Sequence, residues 1–319
     1  MLDNAHLLTN LRRFSLQQTL PVSSTWPVNR RSAVLVLLFV GKYGELRVLL
    51  TKRCRSLRSF SGHVSLPGGK ADSATESPSM VARREAEEEI GLPRDEEVLL
   101  RDFRMNIERI TDNIPHFLSR TFLSVKPVVS FLYNSETPLE KRYNLPLDGT
   151  RFFGKLNPGE TTSLFSVPLA DLTAYRHTDT TYQHEYLSRK LYKARWGDLK
   201  WCLQHYYYPN DNVKDTRWLN DIIDTSSGDE EMEGVPCKDV WGLTAKILQE
   251  ISDIAHGDIA AGKAVGHEDL IYMLHKFGGQ LKDRERSKWE NDMIHNKSGV
   301  CYSDVIPDEH MEQLLSSEF

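Results

Sequence analysis

Four carboxylates in five positions, Glu85, Glu87, Glu88 and Glu89, follow the glycine turn Leu66-Pro67-Gly68-Gly69-Lys70 and end at Ile90-Gly91-Leu92. On a helix advancing about 100° per residue, Glu85, Glu88 and Glu89 fall at about 0°, 300° and 40°, one face within a turn, whereas Glu87 points away. Carboxylates so crowded raise one another's pKa unless a cation sits among them, and oxygen ligands suit a hard divalent ion, Mg²⁺ or Mn²⁺. The local signals agree with a helix. Ser77-Pro78 supplies an N-cap and a first-turn proline, Gly91 and Pro93 stop the chain, and Val81, Ala82, Ala86 and Ile90 form an apolar stripe. Arg84 reads as the guanidinium that holds a metal-binding carboxylate by paired hydrogen bonds. A bare Glu run is more often a solvated helix face. Here the surrounding spacing argues for a site.

That spacing resembles the box of the Nudix hydrolase family, Gly-x5-Glu-x7-Arg-Glu-U-x-Glu-Glu-x-Gly-U, with U a bulky aliphatic residue. Seven residues separate Glu76 from Arg84, and Arg84-Glu85-Ala86-Glu87-Glu88-Glu89-Ile90-Gly91-Leu92 fits the second half, Ala86 standing in for U. Six residues, not five, separate Gly69 from Glu76, which leaves Asp72 able to reach similar space. The resemblance implies an α/β/α sandwich around a mixed sheet, with loop insertions and a C-terminal helical extension added. It implies diphosphate hydrolysis, with Glu85, Glu88, Glu89 and the Gly68 carbonyl as metal ligands and Arg84 beside them.

The segment upstream is similar to the signature of the coenzyme A diphosphatases within that family. Leu49-Leu50-Thr51, Arg53, Arg58, Gly62 and Pro67-Gly68-Gly69 match at every spacing, while Cys54 replaces Ser or Ala and Leu66 replaces Phe. Lys52, Arg53, Arg55 and Arg58 would lie beside a metal-diphosphate site and suit a ligand with a further 3′-phosphate. Lys52, Arg53, Arg58 and Gly69 are therefore the candidate substrate contacts. The resemblance implies hydrolysis of coenzyme A, its oxidised forms included, to 4′-phosphopantetheine and adenosine 3′,5′-bisphosphate. Within enzymes the alternative is an oxidised-nucleotide diphosphatase acting on 8-oxo-dGTP. A binding module without turnover is disfavoured, because such modules lose box carboxylates and this chain keeps them. Glu160 lies where related enzymes place a further acidic residue.

The 319 residues carry a net charge of −5, which argues against general nucleic-acid binding and leaves a small-molecule substrate as the expected partner. The longest apolar run, Ala33 to Val40, is too short to span a bilayer and reads as a buried strand. Cys54, Cys202, Cys237 and Cys301 lack metal-ligand spacing and read as thiols of a reducing compartment. Location is expected to be peroxisomal by resemblance, with cytoplasm or mitochondrion as alternatives, since Ser316-Ser317-Glu318-Phe319 is not a Ser-Lys-Leu-type ending. Oligomeric state is left open.

The expected organisation is an N-terminal arm over 1–28, a Nudix domain over 29–257 and a helical extension over 258–319. Strands are expected near 33–40 and 46–52, at Lys126–Phe131 and Phe165–Leu169. Insertions are expected over Asn134–Pro158 and Pro209–Pro236, the second including a solvated Ser226–Glu231. Leu243, Ile247, Leu248, Ile251, Ile254 and Ala255 recur at helical spacing. His267, His275 and His295 match no metal pattern and read as surface or packing residues.

Overall fold

Strand β1, Arg31–Val40, shows why this chain layers helices on both faces of a sheet. Its alternate residues Ala33, Leu35, Leu37 and Phe39 enter one apolar cluster, while Val36, Leu38 and Val40 enter another. Period-two alternation sends them to opposite faces, and both faces are buried. In the computed structural model, residues 3–15, 26–148, 155–173, 182–215, 230–259, 265–278, 281, 285–315 and 319 are described.

Among these, eight strands join one mixed sheet. They are β1, β2 (Leu46–Arg53), β3 (Val64–Ser65), β4 (Gly68–Lys70), β5 (Met105–Thr111), β6 (Phe117–Leu118), β7 (Ser124–Asn134) and β8 (Thr161–Pro168). β1 runs parallel to β7, and its other edge is shared. Leu38–Val40 pair with Leu46–Val48 of β2, whereas Ser32–Val34 pair with β4. β2 therefore diverges from β1: its far half pairs with β3 on that edge, while β8 pairs along its other edge from Arg47 to Arg53. The glycine turn enters the sheet at that fork.

One face is covered by the helix Pro78–Ile90 and by Glu96–Phe103, whose Val81, Ala82, Ala86, Ile90 and Leu99 pack on the first cluster. The other is covered by Gly242–His256 and Asn4–Arg13, through Leu7, Leu8, Leu11, Leu248 and Ile251. This is the expected α/β/α sandwich with a mixed sheet. No helix among the described residues is long and apolar enough to cross a membrane. No disulfide joins the four cysteines.

A second, antiparallel sheet was not anticipated. β9 (Ser188–Trp196) and β10 (Leu199–Pro209) form a hairpin, extended by β12 (Val235–Trp241) and β11 (Glu230–Met232). Glu230 and Glu231, expected in a solvated run, pair with Cys237 and Pro236, while 216–229 lie outside the described residues. A third apolar cluster joins Trp26, Leu118, Phe122, Trp196 and Leu199 to Leu270, Leu274, Met293, Tyr302 and Leu314. Those last five sit on or beside the helices Glu268–Phe277, Lys288–Ile294 and Asp308–Leu315. The C-terminal third thus shares its core with residues from the first half of the chain.

Candidate active site

The carboxylate helix starts and stops where its sequence says. Ser77 accepts a hydrogen bond from the Met80 N–H at 3.3 Å, Pro78 opens the first turn, and Gly91 closes the last in the left-handed region. The helix buries Val81, Ala82, Ala86 and Ile90, and Glu89 goes down with them. Glu89 is 5% exposed because it follows Ala82 and Ala86 on the same stripe. Its side chain meets the glycine turn, where the Gly68 N–H donates to Oε2 at 3.3 Å.

Glu85 and Glu88 stand progressively further out, with side chains 18% and 52% exposed. Arg84 ties them to the loop. Its guanidinium donates to Glu76 at 2.9 Å, Glu85 at 3.0 Å, Glu88 at 3.3 Å and the Lys70 carbonyl at 2.8 Å. The extra loop residue is thereby absorbed: Glu76 bonds Arg84 and accepts the Asp72 N–H at 2.9 Å, while the Asp72 carboxylate lies further from Arg84, at 3.4 Å. Glu87 turns away to Arg94 at 2.6 Å. Gly68 is required by close approach, since a Cβ there would overlap the backbone of Ala33 and Val34, whereas at Gly69 it would meet the end of the Glu85 side chain.

The charges are unevenly relieved. Glu76 titrates below the ordinary range because Arg84 hydrogen-bonds its carboxylate. Glu85 is pushed up by burial, with Glu88 and Glu160 adding repulsion and Arg84 opposing it. Glu89 is pushed up to about 8, first by burial and then by Glu85 and Glu160, against the pull of Arg53 and the Gly68 N–H. The Arg53 guanidinium is 3.9 Å from Glu89 and makes no closer approach to it. Glu160 follows Asn157, whose N–H donates to the Glu89 carbonyl at 3.1 Å, so the loop before β8 is pinned to this helix.

Among the described residues no three acidic, His or Cys side chains converge on a single point. The Arg84 guanidinium bonds both Glu85 and Glu88, and Glu89 is turned to Gly68. The donor set nevertheless fits a hard divalent cation. Glu89 is a buried carboxylate short of positive charge, flanked by two more carboxylates and a backbone turn, and all of these donors are oxygens.

The candidate substrate contacts on β2 part at Lys52 and Arg53, where the pairing with β8 shifts register. Arg53 lines a cavity together with Gly68. Lys52 is 8% exposed and lines a different cavity with Arg55 and Lys238. Arg58 is exposed on the loop after β2 and borders neither. The first cavity also takes its walls from β9, β10, His267 and Phe319, which the sequence reading did not connect with the site. One signal was present. Trp196-Gly197-Asp198-Leu199 is a two-residue hairpin turn, with Gly197 at φ 60° where such turns demand a positive angle.

A family model described as NUDIX domain matches residues 29–191. The chain belongs to the Nudix family. A relative in Saccharomyces cerevisiae, peroxisomal coenzyme A diphosphatase 1, is 50% identical over 327 residues, covering 99% of this chain and 96% of its own. Nudix hydrolase 15 of Arabidopsis thaliana, described as mitochondrial, is 31% identical over 227 residues, covering 71% of this chain and 59% of its own. Among solved structures, the C. elegans Ap4A hydrolase binary complex aligns with a TM-score of 0.29 at 19% identity, over 43% of this chain and 80% of that one.

Proposed function

We propose that this Nudix hydrolase cleaves the diphosphate of coenzyme A and its derivatives, oxidised forms included, to 4′-phosphopantetheine and adenosine 3′,5′-bisphosphate. The observation that carries the reading is half-identity along 99% of the chain to a relative described as a coenzyme A diphosphatase. The arrangement of charge supports it. A divalent ion, Mg²⁺ or Mn²⁺, would be held by Glu85, Glu88, Glu89 and the Gly68 carbonyl. When bound, such an ion neutralises diphosphate charge and lowers the pKa of the attacking water.

The chain's own residues prepare that chemistry. Arg84 holds Glu85 and Glu88 at fixed distances and cross-links the helix to the turn before it. The raised pKa of Glu89 belongs to the metal-free site, where no cation offsets its burial, and a bound divalent ion would draw this carboxylate back to its ionised form. Glu160 is near enough to act on both Glu85 and Glu89, so these carboxylates are the group from which the proton acceptor is drawn. Gly69 keeps the turn bare against Glu85, leaving the loop backbone to approach substrate. Arg53 offers a guanidinium at the mouth of the cleft, and Lys52 contributes charge in the cavity it lines with Arg55 and Lys238. The proposed compartment is the peroxisome, after the yeast relative's description.

Incubation of the full chain with coenzyme A, with and without added Mg²⁺ or Mn²⁺, and mass analysis of the products tests the reading. The expected products are the two half-molecules, formed only with metal. A product set lacking both would reject it. Arg58, exposed and without an ion pair among the described residues, is proposed to meet the 3′-phosphate. Dephospho-coenzyme A is then expected to show a kcat/KM about ten- to a hundredfold lower, the equivalent of one charge-assisted contact of roughly 1.5–3 kcal/mol. Arg58→Ala is expected to narrow that gap, and equal rates on the two substrates would remove Arg58 from the site.

A further inference from the structure

Next to the carboxylates, between the fork of the core sheet and the second sheet, lies a cavity of about 520 Å³. That is within the ~300–1,000 Å³ typical of small-ligand sites. It is continuous with the candidate active site, because Gly68 and Arg53 line it. Its buried members are mainly apolar, among them Val64, Leu66, Leu118, Val125 and Trp196, with Ser119 and His267 the polar exceptions. Its charged side chains are Arg53, Arg120, Arg195 and Lys246, each more exposed than that floor, and no Asp or Glu side chain among the described residues borders it. A positive rim over an apolar floor suits a ligand whose anionic group stays at the mouth while a long uncharged portion enters.

The wall adds a polar requirement. His267, 2% exposed, accepts the Leu118 N–H on Nδ1 at 3.0 Å, so the ring proton resides on Nε2. That Nε2–H is buried and has no acceptor among the described residues, and the same holds for the indole N–H of Trp201 beside it. Two buried donors without acceptors in one wall call for carbonyl oxygens. The pantetheine portion of coenzyme A is uncharged, extended and carries two amide carbonyls; the adenosine portion carries a further phosphate that an apolar floor would strand.

We propose that this cavity is the subsite for the pantetheine arm, so that β9, β10, His267 and Phe319, all remote from the carboxylate helix, decide whether a diphosphate bearing that arm is accepted. The inference rests on the coenzyme A reading above and deepens it. It also gives the second sheet a role: β9 and β10 form the wall facing the turn at Gly68.

Ala194 lines the cavity from β9, opposite Trp201 of β10, and is only half-buried, so Ala194→Trp fills the space without disturbing the core. Leu203→Trp does the same from β10 and serves if the first variant melts early. The measurements use the full chain: KM and kcat for coenzyme A, and inhibition constants for pantetheine and for adenosine 3′,5′-bisphosphate. The KM and the pantetheine constant are expected to rise together by tenfold or more. The kcat and the bisphosphate constant are expected to stay within twofold. If pantetheine binding is unchanged in a folded variant, or if the bisphosphate constant rises in its place, the proposal is overturned. Turnover of coenzyme A by the unmodified chain is read separately, so a failure of the functional reading is distinguishable from a failure of the cavity assignment.

Discussion

Replacing Glu89 with glutamine is expected to lower turnover by two or more orders of magnitude and, at the same time, to make the metal-free protein more stable above neutral pH. The first effect follows if this carboxylate carries metal-directed charge, since losing an electrostatic catalytic group costs several kcal/mol of transition-state stabilisation. The second follows from burial. Glu89 titrates at about 8 in the folded protein against an ordinary value near 4.5. Between those values the folded state keeps a proton that the unfolded state releases, so stability falls as pH rises through the window and is fully present only below it. Glutamine removes that loss, a gain of at most about 5 kcal/mol at pH 8 or above. Melting temperatures of the metal-free proteins from pH 5 to 9 check it: the two curves should separate as pH rises, the variant remaining higher. Parallel curves would show that Glu89 is not a strained carboxylate. Glu88→Gln is the comparison, because that side chain is 52% exposed. It should lose turnover on a similar scale without gaining stability.

Glu290→Ala is expected to destabilise the protein by about 3–5 kcal/mol, the range for stripping one partner from a buried ion pair. Arg30, just before β1, donates to Glu290 of the helix Lys288–Ile294 at 2.5 and 3.1 Å, and the two side chains are 2% and 0% exposed. Alanine would leave the Arg30 guanidinium buried without its counter-charge. It would also dismantle the capping box that Glu290 forms with Ser287, a further contribution of about 1 kcal/mol. Urea unfolding of the full chain measures the change. Arg30→Met combined with Glu290→Leu should recover most of it, since a hydrophobic pair of similar volume replaces an ion pair at little cost. A single-variant loss below about 1 kcal/mol would mean that the C-terminal helices are not anchored through this pair.

What the sequence disclosed about this fold was local. Ser77, Pro78 and Gly91 mark the ends of the carboxylate helix because caps depend on residues within one turn. β1 was legible as a buried run, although only the structure shows its alternate residues dividing between two helical layers. Glu89 shares the stripe of Ala82 and Ala86, so its burial was contained in the periodicity; the pattern read as a ligand face concealed that it is also a packing face. The Arg30–Glu290 pair spans 260 positions, and no local rule reaches that far. The cavity is more distant still, since its walls come from Ser32 through to Phe319. Its strands were missed for a narrower reason. The Gly197-Asp198 turn and the β-prone Trp201–Tyr208 run that follows it carry the local signal for the hairpin, and the polar stretches in the flanking sequence obscure it.

Equal amounts of coenzyme A and 8-oxo-dGTP supplied together to the full-length chain with Mg²⁺, followed in one time course by product mass, give the ratio of their kcat/KM values directly. Coenzyme A is expected to disappear at least tenfold faster, to 4′-phosphopantetheine and adenosine 3′,5′-bisphosphate, and Glu89→Gln to abolish this cleavage. Faster loss of 8-oxo-dGTP, or coenzyme A cleavage that survives the Glu89→Gln exchange, would contradict this expectation.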